Sequence, residues 1–535
     1  MRPLTLLSLL PAALGASSDD WRSRSIYQVM VDRFAPTAGT PSCNTQDRKY
    51  CGGTWKGLAA NLDYIQAMGF SAIWISPIHA GLPDNTDYGY GYTGYWVQRL
   101  DRLNHNFGTD DELRALVENV HKRGPLLLFY TNPPGMYIMI DIVVNNVAAK
   151  GPASSIDYSV FEPFNNIKYY HPQCWINWSN QTSAEDCWMG DNSVPLPDIN
   201  TELDQVETVL YDYIKNITSF YSFDGIRLDA GKSIRKPFWK EFCHSAGVYC
   251  IGEVYYGNSE LLCDYQGPMD GMLDFATYFP LIRAFTNSDG SISELTTMIN
   301  DMRSKCKDTT VLGTFSENHD LPRLAGSIND TSLQHNVIAF TVLYDGIPVI
   351  YQGQEQSFTG KADPDNREAL WTLGFNVSAP AYKLLSTLNS LRSNAAKSNN
   401  TFLTSVSTIL DVASTHVLAW RKGDVIVVLN NLGQENLQGV VVPSGMPPST
   451  KLLDVVGCTQ ISVDTDGTIK TDLTNGEPRV YYPSSIAKDF CQQSTPITPS
   501  TSQTPSLGST TRSAASNRRV PYITILSTLI FLALF

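Results

Sequence analysis

The sequence is short of basic residues. Its 535 residues hold 39 Lys and Arg against 52 Asp and Glu, which gives a net charge of −13 at pH 7. This balance argues against nucleic acid as a partner, because phosphate backbones repel an acidic surface, but it does not argue against a neutral sugar polymer. Aromatic residues make up 11% of the chain and suit stacking on sugar rings, although large cores use them too.

The sequence also lacks a C-terminal apolar run long enough to span a membrane. Residues 520–535 give about 16 positions where a transmembrane helix needs about 20, and no charged tail follows. They come after small residues and a polar spacer that ends in Arg518 and Arg519. This order is that of a GPI-anchor signal, with Gly508 or Ser513 as the attachment residue. We therefore expect contact with the membrane only through a GPI anchor.

The N-terminus has the features of a secretory signal peptide. Arg2 is followed by an apolar run and by small residues near Ala13 and Ser17. Together the two ends predict an extracellular protein, GPI-anchored at the plasma membrane or the cell wall, and we expect it to be a monomer.

Between the ends, the pattern predicts two folded domains. The predicted boundaries are a signal peptide at 1–17, a catalytic domain at 18–400 with an inserted subdomain at about 147–200, a β domain at 401–492, a Ser/Thr/Pro-rich stalk at 493–510 and a GPI signal at 511–535. Residues 125–135 (PLLLFYTNPPG) exceed the usual length of a link between a helix and a strand, so they are either a surface loop or translated intron.

Apolar strands alternate with amphipathic helices in the first domain. Strands are predicted at 25–34, 72–77, 136–146, 225–228, 248–251, 271–275, 310–315 and 348–351, and helices at 58–68 and 110–123. Repeated βα units predict a parallel sheet, and we expect it to close into a (β/α)8 TIM barrel. After residue 401 short alternating strands predict a C-terminal antiparallel β-sandwich.

Secretion makes the ten cysteines candidates for disulfide bonds. Close spacing suggests the first two of the following pairs and chain order alone the other two: Cys43–Cys51, Cys174–Cys187, Cys263–Cys306 and Cys458–Cys491. Cys250 lies in a predicted buried strand and is expected to be free, and Cys243 has no assigned partner. N-x-S/T sequons at Asn177, Asn180, Asn216, Asn329, Asn376 and Asn399 agree with secretion.

Three acids at three predicted strand ends suggest one site. In GIRLDAGKS, Arg227 and Asp229 are two residues apart and so share one face of a strand. The guanidinium is expected to keep Asp229 ionised, as a nucleophile requires. Glu253 follows the next strand, and Asp320 lies in FSENHD.

These motifs resemble those of a known enzyme family. DIVVNN, GIRLDAGKS, GEVYYG and FSENHD, in this order, are similar to the four ordered motifs of the α-amylase family of glycoside hydrolases, and LPDIN at 196–200 resembles its fifth. The likeness covers about residues 21–491 and is strongest to secreted fungal α-amylases and their GPI-anchored relatives. The resemblance implies Asp229 as nucleophile, Glu253 as general acid and base, and Asp320 as the residue that stabilises the oxocarbenium-like transition state.

The resemblance also implies substrate and metal ligands. Tyr95 would stack under the cleaved sugar, His319 would donate a hydrogen bond to it, Lys232 would lie on the acceptor side, and Asp363 and Arg367 would contact a sugar further along. A structural Ca2+ would be held by Asn145, Glu185, Asp198 and the backbone carbonyl of Ser233. All are hard oxygen donors, as Ca2+ prefers.

Three positions depart from the family pattern. Asn146, Ser233 and Thr93 stand where fungal α-amylases have His. Losing one hydrogen bond to the transition state at Asn146 would cost about 1 to 3 kcal/mol. Tyr255 and Tyr256 follow the acid on the acceptor side, where rings could stack an incoming sugar and exclude water.

The departures leave three hypotheses for function. The first is an enzyme that cleaves internal α-1,4 bonds of starch-like α-glucan or maltooligosaccharides. The second, favoured by Asn146 and the two tyrosines, is a 4-α-glucanotransferase acting in fungal cell-wall α-glucan synthesis. The third is a non-catalytic glucan-binding protein. Specificity for α-1,6 bonds is disfavoured by Leu196 in the fifth motif.

Overall fold

The strands and helices are defined over residues 15–123, 135–435 and 437–491, the part of the chain described by the computed structural model. In chain order the strands are β1 Ile26–Val29, β2 Ala72–Ile75, β3 His79–Gly81, β4 Val97–Leu103, β5 Tyr137–Ile142, β6 Met189–Gly190, β7 Pro195–Leu196, β8 Gly225–Leu228, β9 Tyr249–Gly252, β10 Gly271–Met272, β11 Gly313–Thr314, β12 Ile347–Tyr351, β13 Thr408–Leu410, β14 Val417–Lys422, β15 Val425–Asn430, β16 Gly439–Pro443, β17 Lys451–Asp454, β18 Gln460–Ser462, β19 Thr468–Asp472 and β20 Arg479–Pro483. The helices are α1 Ser18–Arg22, α2 Val31–Phe34, α3 Trp55–Ala60, α4 Leu62–Ala67, α5 Asp110–His121, α6 Gln181–Asp186, α7 Asp204–Tyr221, α8 Lys236–Ala246, α9 Ser259–Cys263, α10 Phe275–Phe285, α11 Ile292–Lys305, α12 Leu324–Ser327, α13 Thr331–Leu343 and α14 Pro380–Ser398.

Eight parallel strands form the barrel. Their order is β10-β9-β8-β5-β2-β1-β12-β11. A parallel bridge between Leu273 and Gly313 joins the two outer strands, and the Asp274 amide donates to the Gly313 carbonyl at 2.9 Å. The barrel strands are buried on both faces, as expected when helices cover the outside of a parallel sheet. The predicted TIM barrel is confirmed.

Some barrel strands are shorter than predicted. The run 25–34 is strand only to Val29 and then turns into α2, where the buried Asp32 accepts hydrogen bonds from the amides of Cys51 and Gly52. The runs 271–275 and 310–315 keep only two strand residues each, and Phe275 already begins α10. These strands end where side-chain capping and tertiary contacts take over. Neither can be predicted from the spacing of apolar residues.

The observed helix ends also differ from those predicted from the sequence. The predicted helix 58–68 is two helices, α3 and α4, because Asn61 leaves the helical region at φ −116° and ψ 15°. α5 agrees with prediction at its start, where Thr109 and Glu112 form a capping box and three acids occupy the first turn. It ends at His121 rather than Arg123.

A subdomain of irregular structure lies between β5 and α7. It contains α6, the β6–β7 hairpin and the disulfide Cys174–Cys187. Buried aromatic residues such as Phe161, Phe164 and Tyr170 give it an apolar interior. This segment leaves the barrel at the carboxyl end of β5, the end at which active sites of such barrels lie.

The C-terminal part is antiparallel, as predicted. One sheet has the order β13-β14-β15-β20-β17-β18, and β16 pairs with β19 in a second. An apolar cluster that includes Ile426, Val442 and Ile469 lies between them. The buried Asp345, just before β12, ties this part to the barrel through an ion pair with Lys422 of β14 at 2.9 Å, and it also pairs with Arg303 of α11 at 3.0 Å.

The cysteine pairing agrees with the sequence. Disulfides join Cys43 to Cys51, Cys174 to Cys187 and Cys263 to Cys306. Cys458 and Cys491 are each disulfide-bonded as well, and Cys250 is a buried free thiol, as predicted. Cys243, which the sequence left unplaced, is also free.

Some predictions fall on residues that the structure does not describe. These are residues 1–14 of the signal peptide, 125–134 of the long insertion, the stalk and the GPI signal. Over the described ranges, no helix combines the length and the apolar character that a membrane crossing needs.

Candidate active site

Three carboxyl groups surround one guanidinium at the carboxyl end of the barrel. Nη1 of Arg227 donates to Oδ1 of Asp229 at 2.7 Å and to Oδ1 of Asp141 at 2.8 Å, and Nη2 lies 2.8 Å from Oε2 of Glu253. The Arg227 side chain is 1% exposed, whereas those of Asp229 and Glu253 are each 18% exposed. The structure therefore brings Asp229 and Glu253 together at the open edge of a buried cation.

Strand register explains why these groups meet. β8 pairs with β9 so that Leu228 lies opposite Gly252, which places Asp229 and Glu253 at the same edge of the sheet. On the other side of β8, Asp141 of β5 is the direct partner of Arg227. Asp141 was not predicted as a site residue, because the pairing joins positions 86 residues apart.

The sequence predicts that Arg227 serves Asp229. In the structure, the guanidinium is shared among Asp229, Asp141 and Glu253. Burial raises the pKa of Asp229 well above its usual value; Arg227 opposes this shift, and the charges of Glu253 and Asp141 add to it. One positive charge cannot balance three carboxylates. The pKa of Asp229 therefore depends on the whole cluster and not on Arg227 alone.

Tyr95 and His319 connect this cluster to Asp320. The Tyr95 hydroxyl donates to Oδ2 of Asp141 at 2.6 Å, and its ring stacks on His319 with centroids 4.9 Å apart. Nε2 of His319 lies 3.1 Å from Oδ2 of Asp320. The Asp320 carboxylate is 46% exposed, so it faces the cleft. All three predicted acids are thus linked by contacts through Arg227, Asp141, Tyr95 and His319.

Gln28 sets the tautomer of His319 and was missed from the sequence. Its Nε2 lies 2.9 Å from Nδ1 of His319, so this amide donates to the ring. Burial lowers the pKa of His319 well below its usual value, and Arg227 and Arg367 lower it further. The imidazole is therefore neutral, with Nδ1 as acceptor and the proton on Nε2, where it can be donated to Asp320 or to a bound sugar.

A chain of alternating charges leads from Asp320 to the cleft wall. Arg367 lies 3.3 Å from Asp320 and 2.8 Å from Asp363. Asp363 also pairs with Arg48 at 3.1 Å. Both predicted residues, Asp363 and Arg367, thus reach the site, and Arg48 joins them from the Cys43–Cys51 loop. No sequence signal marked Arg48.

Aromatic rings surround Lys232, near Glu253. Its Nζ lies 4.6 Å from the ring centre of Trp178, 5.1 Å from that of Tyr256 and 5.6 Å from that of Tyr255. Trp178 is 44% exposed and Tyr255 is 41% exposed, so both present ring surface to the cleft. The sequence predicted Lys232, Tyr255 and Tyr256 but missed Trp178, which comes from the inserted subdomain.

Gln181 of α6 fixes this aromatic cluster. Its Nε2 donates to the Lys232 carbonyl at 2.8 Å, and its Oε1 accepts from the Tyr256 hydroxyl at 2.6 Å. Gln181 therefore joins the subdomain to the loops that follow β8 and β9.

Comparison with known proteins agrees with this geometry. The family model described as the α-amylase catalytic domain matches residues 28–379, and the model for α-amylase domain C matches residues 412–498. The chain belongs to the α-amylase family.

Relatives of similar length support this membership. The chain is similar to α-amylase 2 of Schwanniomyces occidentalis, with 44% identity over 87% of this chain and 91% of that protein, and to the α-amylase of Saccharomycopsis fibuligera, with 42% identity over 89% and 94%. The solved structure of an α-amylase from Malbranchea cinnamomea superposes with a TM-score of 0.85 at 44% identity, covering 89% of this chain and 99% of that one.

As an α-amylase family member, the chain is expected to hold calcium, and two of the predicted ligands fit this expectation. Oδ1 of Asn145 and Oδ1 of Asp198 are buried with no hydrogen-bond partner. The two residues are held together because the Ile199 amide donates to the Asn145 carbonyl at 2.8 Å. Unpartnered buried oxygens are costly unless a cation takes them up, and oxygen donors suit Ca2+.

The other two predicted ligands are Glu185, on α6, and the backbone carbonyl of Ser233, in the turn after β8. Gln181 donates both to the Lys232 carbonyl, next to Ser233, and to Oε1 of Glu185 at 2.7 Å. The Glu185 side chain thus already has a protein partner.

An acidic cluster with a central imidazole adjoins the predicted ligands. Nδ1 of His171 lies 2.7 Å from Oδ2 of Asp198, and Nε2 lies 2.8 Å from Glu202, with Asp186 at the edge of the group. Burial raises the pKa of Asp198 to about 7 against the pull of His171. A bound cation would offset this cost and hold Asp198 charged.

Calcium removal is expected to destabilise the protein. Binding to the folded state alone contributes about 2.7 kcal/mol at a hundredfold excess over Kd, so a chelator should lower Tm by several degrees. Calorimetry with chelator, and with chelator plus excess Ca2+ or Mg2+, checks this. In D198N the chelator should have no effect, and in the control D301N, an exposed site on α11, it should act as in the parent. An unchanged Tm in the parent would count against the site.

Proposed function

We propose that this chain is a retaining glycoside hydrolase that cleaves internal α-1,4-glucosidic bonds of starch-like α-glucan. The observation that carries the proposal is the pair of carboxyl groups, Asp229 and Glu253, within 2.8 Å of the same guanidinium. Retaining enzymes have two carboxyl groups about 5 to 5.5 Å apart, and inverting ones have them farther apart. A shared guanidinium favours the shorter separation.

Asp229 is the nucleophile in this proposal. Its Oδ1 is held by Arg227, which leaves Oδ2 to attack the anomeric carbon. The bond from that carbon to the glycosidic oxygen breaks as the bond to Oδ2 forms, and the product is a glycosyl ester on Asp229. Burial destabilises the charged carboxylate, so neutralising it in the ester is favourable.

Glu253 supplies the proton to the departing oxygen. Arg227 and the Ala230 amide both contact Oε2, at 2.8 and 3.1 Å, so Oε1 is the oxygen directed to the substrate. Ala230 lies in the left-handed region at φ 52°, and this turn aims its amide at Glu253. In the second half-reaction Glu253 takes a proton from the acceptor, and the ester to Asp229 is broken.

Asp320 and its neighbours bind the distorted sugar. The carboxylate is oriented by His319 and Arg367 and stays exposed to the cleft. A negative charge there stabilises the positive charge that develops on the ring carbon. Tyr95 is only partly buried and its ring lies on His319, so its remaining exposed ring surface is suited to contact this sugar.

The aromatic cluster favours a second candidate, a 4-α-glucanotransferase of the fungal cell wall. Trp178 and Tyr255 expose ring surface beside the general acid, where an incoming sugar would compete with water for the ester. Asn146 is buried, and its side-chain amide is directed to its chain neighbours: Nδ2 donates to the Val147 carbonyl at 3.5 Å and Oδ1 accepts from Asn145 at 3.4 Å, so it adds no strong donor to the sugar. Both features favour attack on the ester by a sugar over attack by water.

The site of action is part of the proposal. The signal-peptide and anchor patterns place the enzyme outside the cell, held by a GPI anchor. The disulfides support this because such bonds form and persist in oxidising compartments.

Replacing the nucleophile tests catalysis against simple glucan binding. Asp229→Asn should lower kcat on soluble starch by at least about 1000-fold, because the ester can no longer form. Reducing-sugar release measures this, with D301N as a control that should keep parental activity. A D229N variant with parental activity would contradict the mechanism, and an inactive parent that still binds glucan would support the non-catalytic hypothesis.

A substrate with a good leaving group tests the charge coupling between the two acids. α-Maltosyl fluoride needs no proton from Glu253, so E253Q should still form the ester. Protonated Asp229 cannot attack, so the rate falls as pH drops through the pKa of Asp229. Because Glu253 raises this pKa, the fall in E253Q should occur at lower pH than in the parent. Fluoride release against pH measures it, and an unmoved or raised midpoint would contradict the coupling.

Product length separates transfer from hydrolysis. With maltopentaose, a transferase gives products longer than the substrate, and a hydrolase gives only shorter ones. Y255A and W178A should lower the fraction of products longer than the substrate severalfold, because stacking of a sugar on one aromatic ring contributes about 1 kcal/mol. Trp175→Ala is the matched control, since Trp175 is 41% exposed in the same disulfide loop but packs on Trp188. Equal loss in all three variants would contradict an acceptor role.

A further inference from the structure

The loop between Cys174 and Cys187 carries two adjacent sequons next to the aromatic cluster. Residues 177–179 read Asn-Trp-Ser and residues 180–182 read Asn-Gln-Thr. We propose that Asn180 carries an N-linked glycan, and that this glycan stands at the acceptor lip of the cleft and restricts long glucans there. The lip is defined as residues 177–182.

The Asn180 side chain is placed to carry a glycan without loss of structure. It is exposed, and its Oδ1 accepts from the amides of Thr182 at 3.0 Å and Ser183 at 3.4 Å. These bonds turn the amide nitrogen away from α6 toward solvent. N-linked sugar attaches at this nitrogen, so Oδ1 keeps both hydrogen bonds after modification.

The sequon at Asn177 is the less suitable of the two because of its middle residue. Oδ1 of Asn177 is also hydrogen-bonded, to the backbone amide and the hydroxyl of Ser179 at 3.2 and 2.7 Å, so these bonds do not distinguish the two sites. The middle residue of the Asn177 sequon, Trp178, packs over Lys232. A bulky glycan on one of two sites three residues apart obstructs the other.

Asn180 directly precedes Gln181, which contacts the aromatic cluster around Lys232. Gln181 bonds the Lys232 carbonyl and the Tyr256 hydroxyl, at 2.8 and 2.6 Å. Trp178, on the other side of Asn180, lies 4.6 Å from Nζ of Lys232. A hydrated oligosaccharide on Asn180 would thus occupy space where a long or branched acceptor leaves the cleft.

The modification is a substitution at an anomeric carbon. The Asn180 amide nitrogen attacks the first sugar of a lipid diphosphate-linked oligosaccharide, and a carbon–nitrogen bond forms. The carbon–oxygen bond to the diphosphate breaks, the lipid diphosphate leaves with the electron pair, and the amide proton passes to a base of the transferase. The donor is found in the secretory compartment that the signal peptide predicts.

Peptide mapping tests the site without reference to activity. The full chain is secreted from a glycosylating fungal host and treated with peptide N-glycosidase F in water labelled with heavy oxygen, which converts a glycosylated Asn into labelled Asp. We expect label on residue 180. An unlabelled Asn180, including label on Asn177 alone, overturns the proposal.

Activity tests the role at the lip, a step that rests on the proposed function. T182A removes the sequon but keeps the Asn180 hydrogen bonds, and T182S keeps the sequon as a matched control. Removing the bulky glycan should raise the ratio of activity on long amylose to that on maltopentaose at least about twofold in T182A, with no change in T182S. An unchanged ratio in T182A overturns the lip role. Products absent from every variant would instead overturn the proposed function, and the peptide map would still decide Asn180.

Discussion

The site depends on one buried guanidinium that three carboxyl groups share. Arg227 is 1% exposed and contacts Asp141, Asp229 and Glu253 within 2.8 Å. A buried charge is tolerated only when it is paired, so the arginine and its partners require one another. Asp141 is the structural member of the set, fully buried and also bonded by Trp74. The other two members, Asp229 and Glu253, are each 18% exposed and leave a negative excess at the barrel mouth.

This constraint determines which parts of the site could be predicted from the sequence. β8 was predicted with its observed bounds, and Asp229 and Glu253 follow directly from two neighbouring apolar strands. Asp141 could not be found in this way, because its role comes from the β5–β8 register. Gln28 of β1, and Arg48 and Trp178 of two loops, reach the site from other parts of the chain, and no local pattern marks them. Strand ends were missed where tertiary hydrogen bonds, such as those to Asp32, stop the strand.

The barrel also sets the charge state, the tautomer and the orientation of His319. Its ring lies flat against Tyr95, whose hydroxyl is anchored on Asp141, and Gln28 of β1 fixes its tautomer. Arg227 and Arg367 both disfavour a third positive charge at this position. The donor that faces Asp320 is therefore an uncharged N–H whose direction is set by buried side chains. Such a group costs little reorganisation when a sugar binds.

In the proposed function, the choice between water and sugar as acceptor depends on contacts between the inserted subdomain and the barrel loops after β8 and β9. Gln181 joins α6 to the Lys232 carbonyl and to Tyr256, so the aromatic cluster keeps its shape only while α6 is in place. The same helix carries Glu185 beside the predicted calcium ligands, and Asn146 forms a bridge with Asp198. The aromatic cluster thus depends on contacts with α6, whereas Asp229 and Glu253 are positioned by the register between β8 and β9. In the proposed function, cleavage and acceptor choice therefore rest on different contacts of the fold.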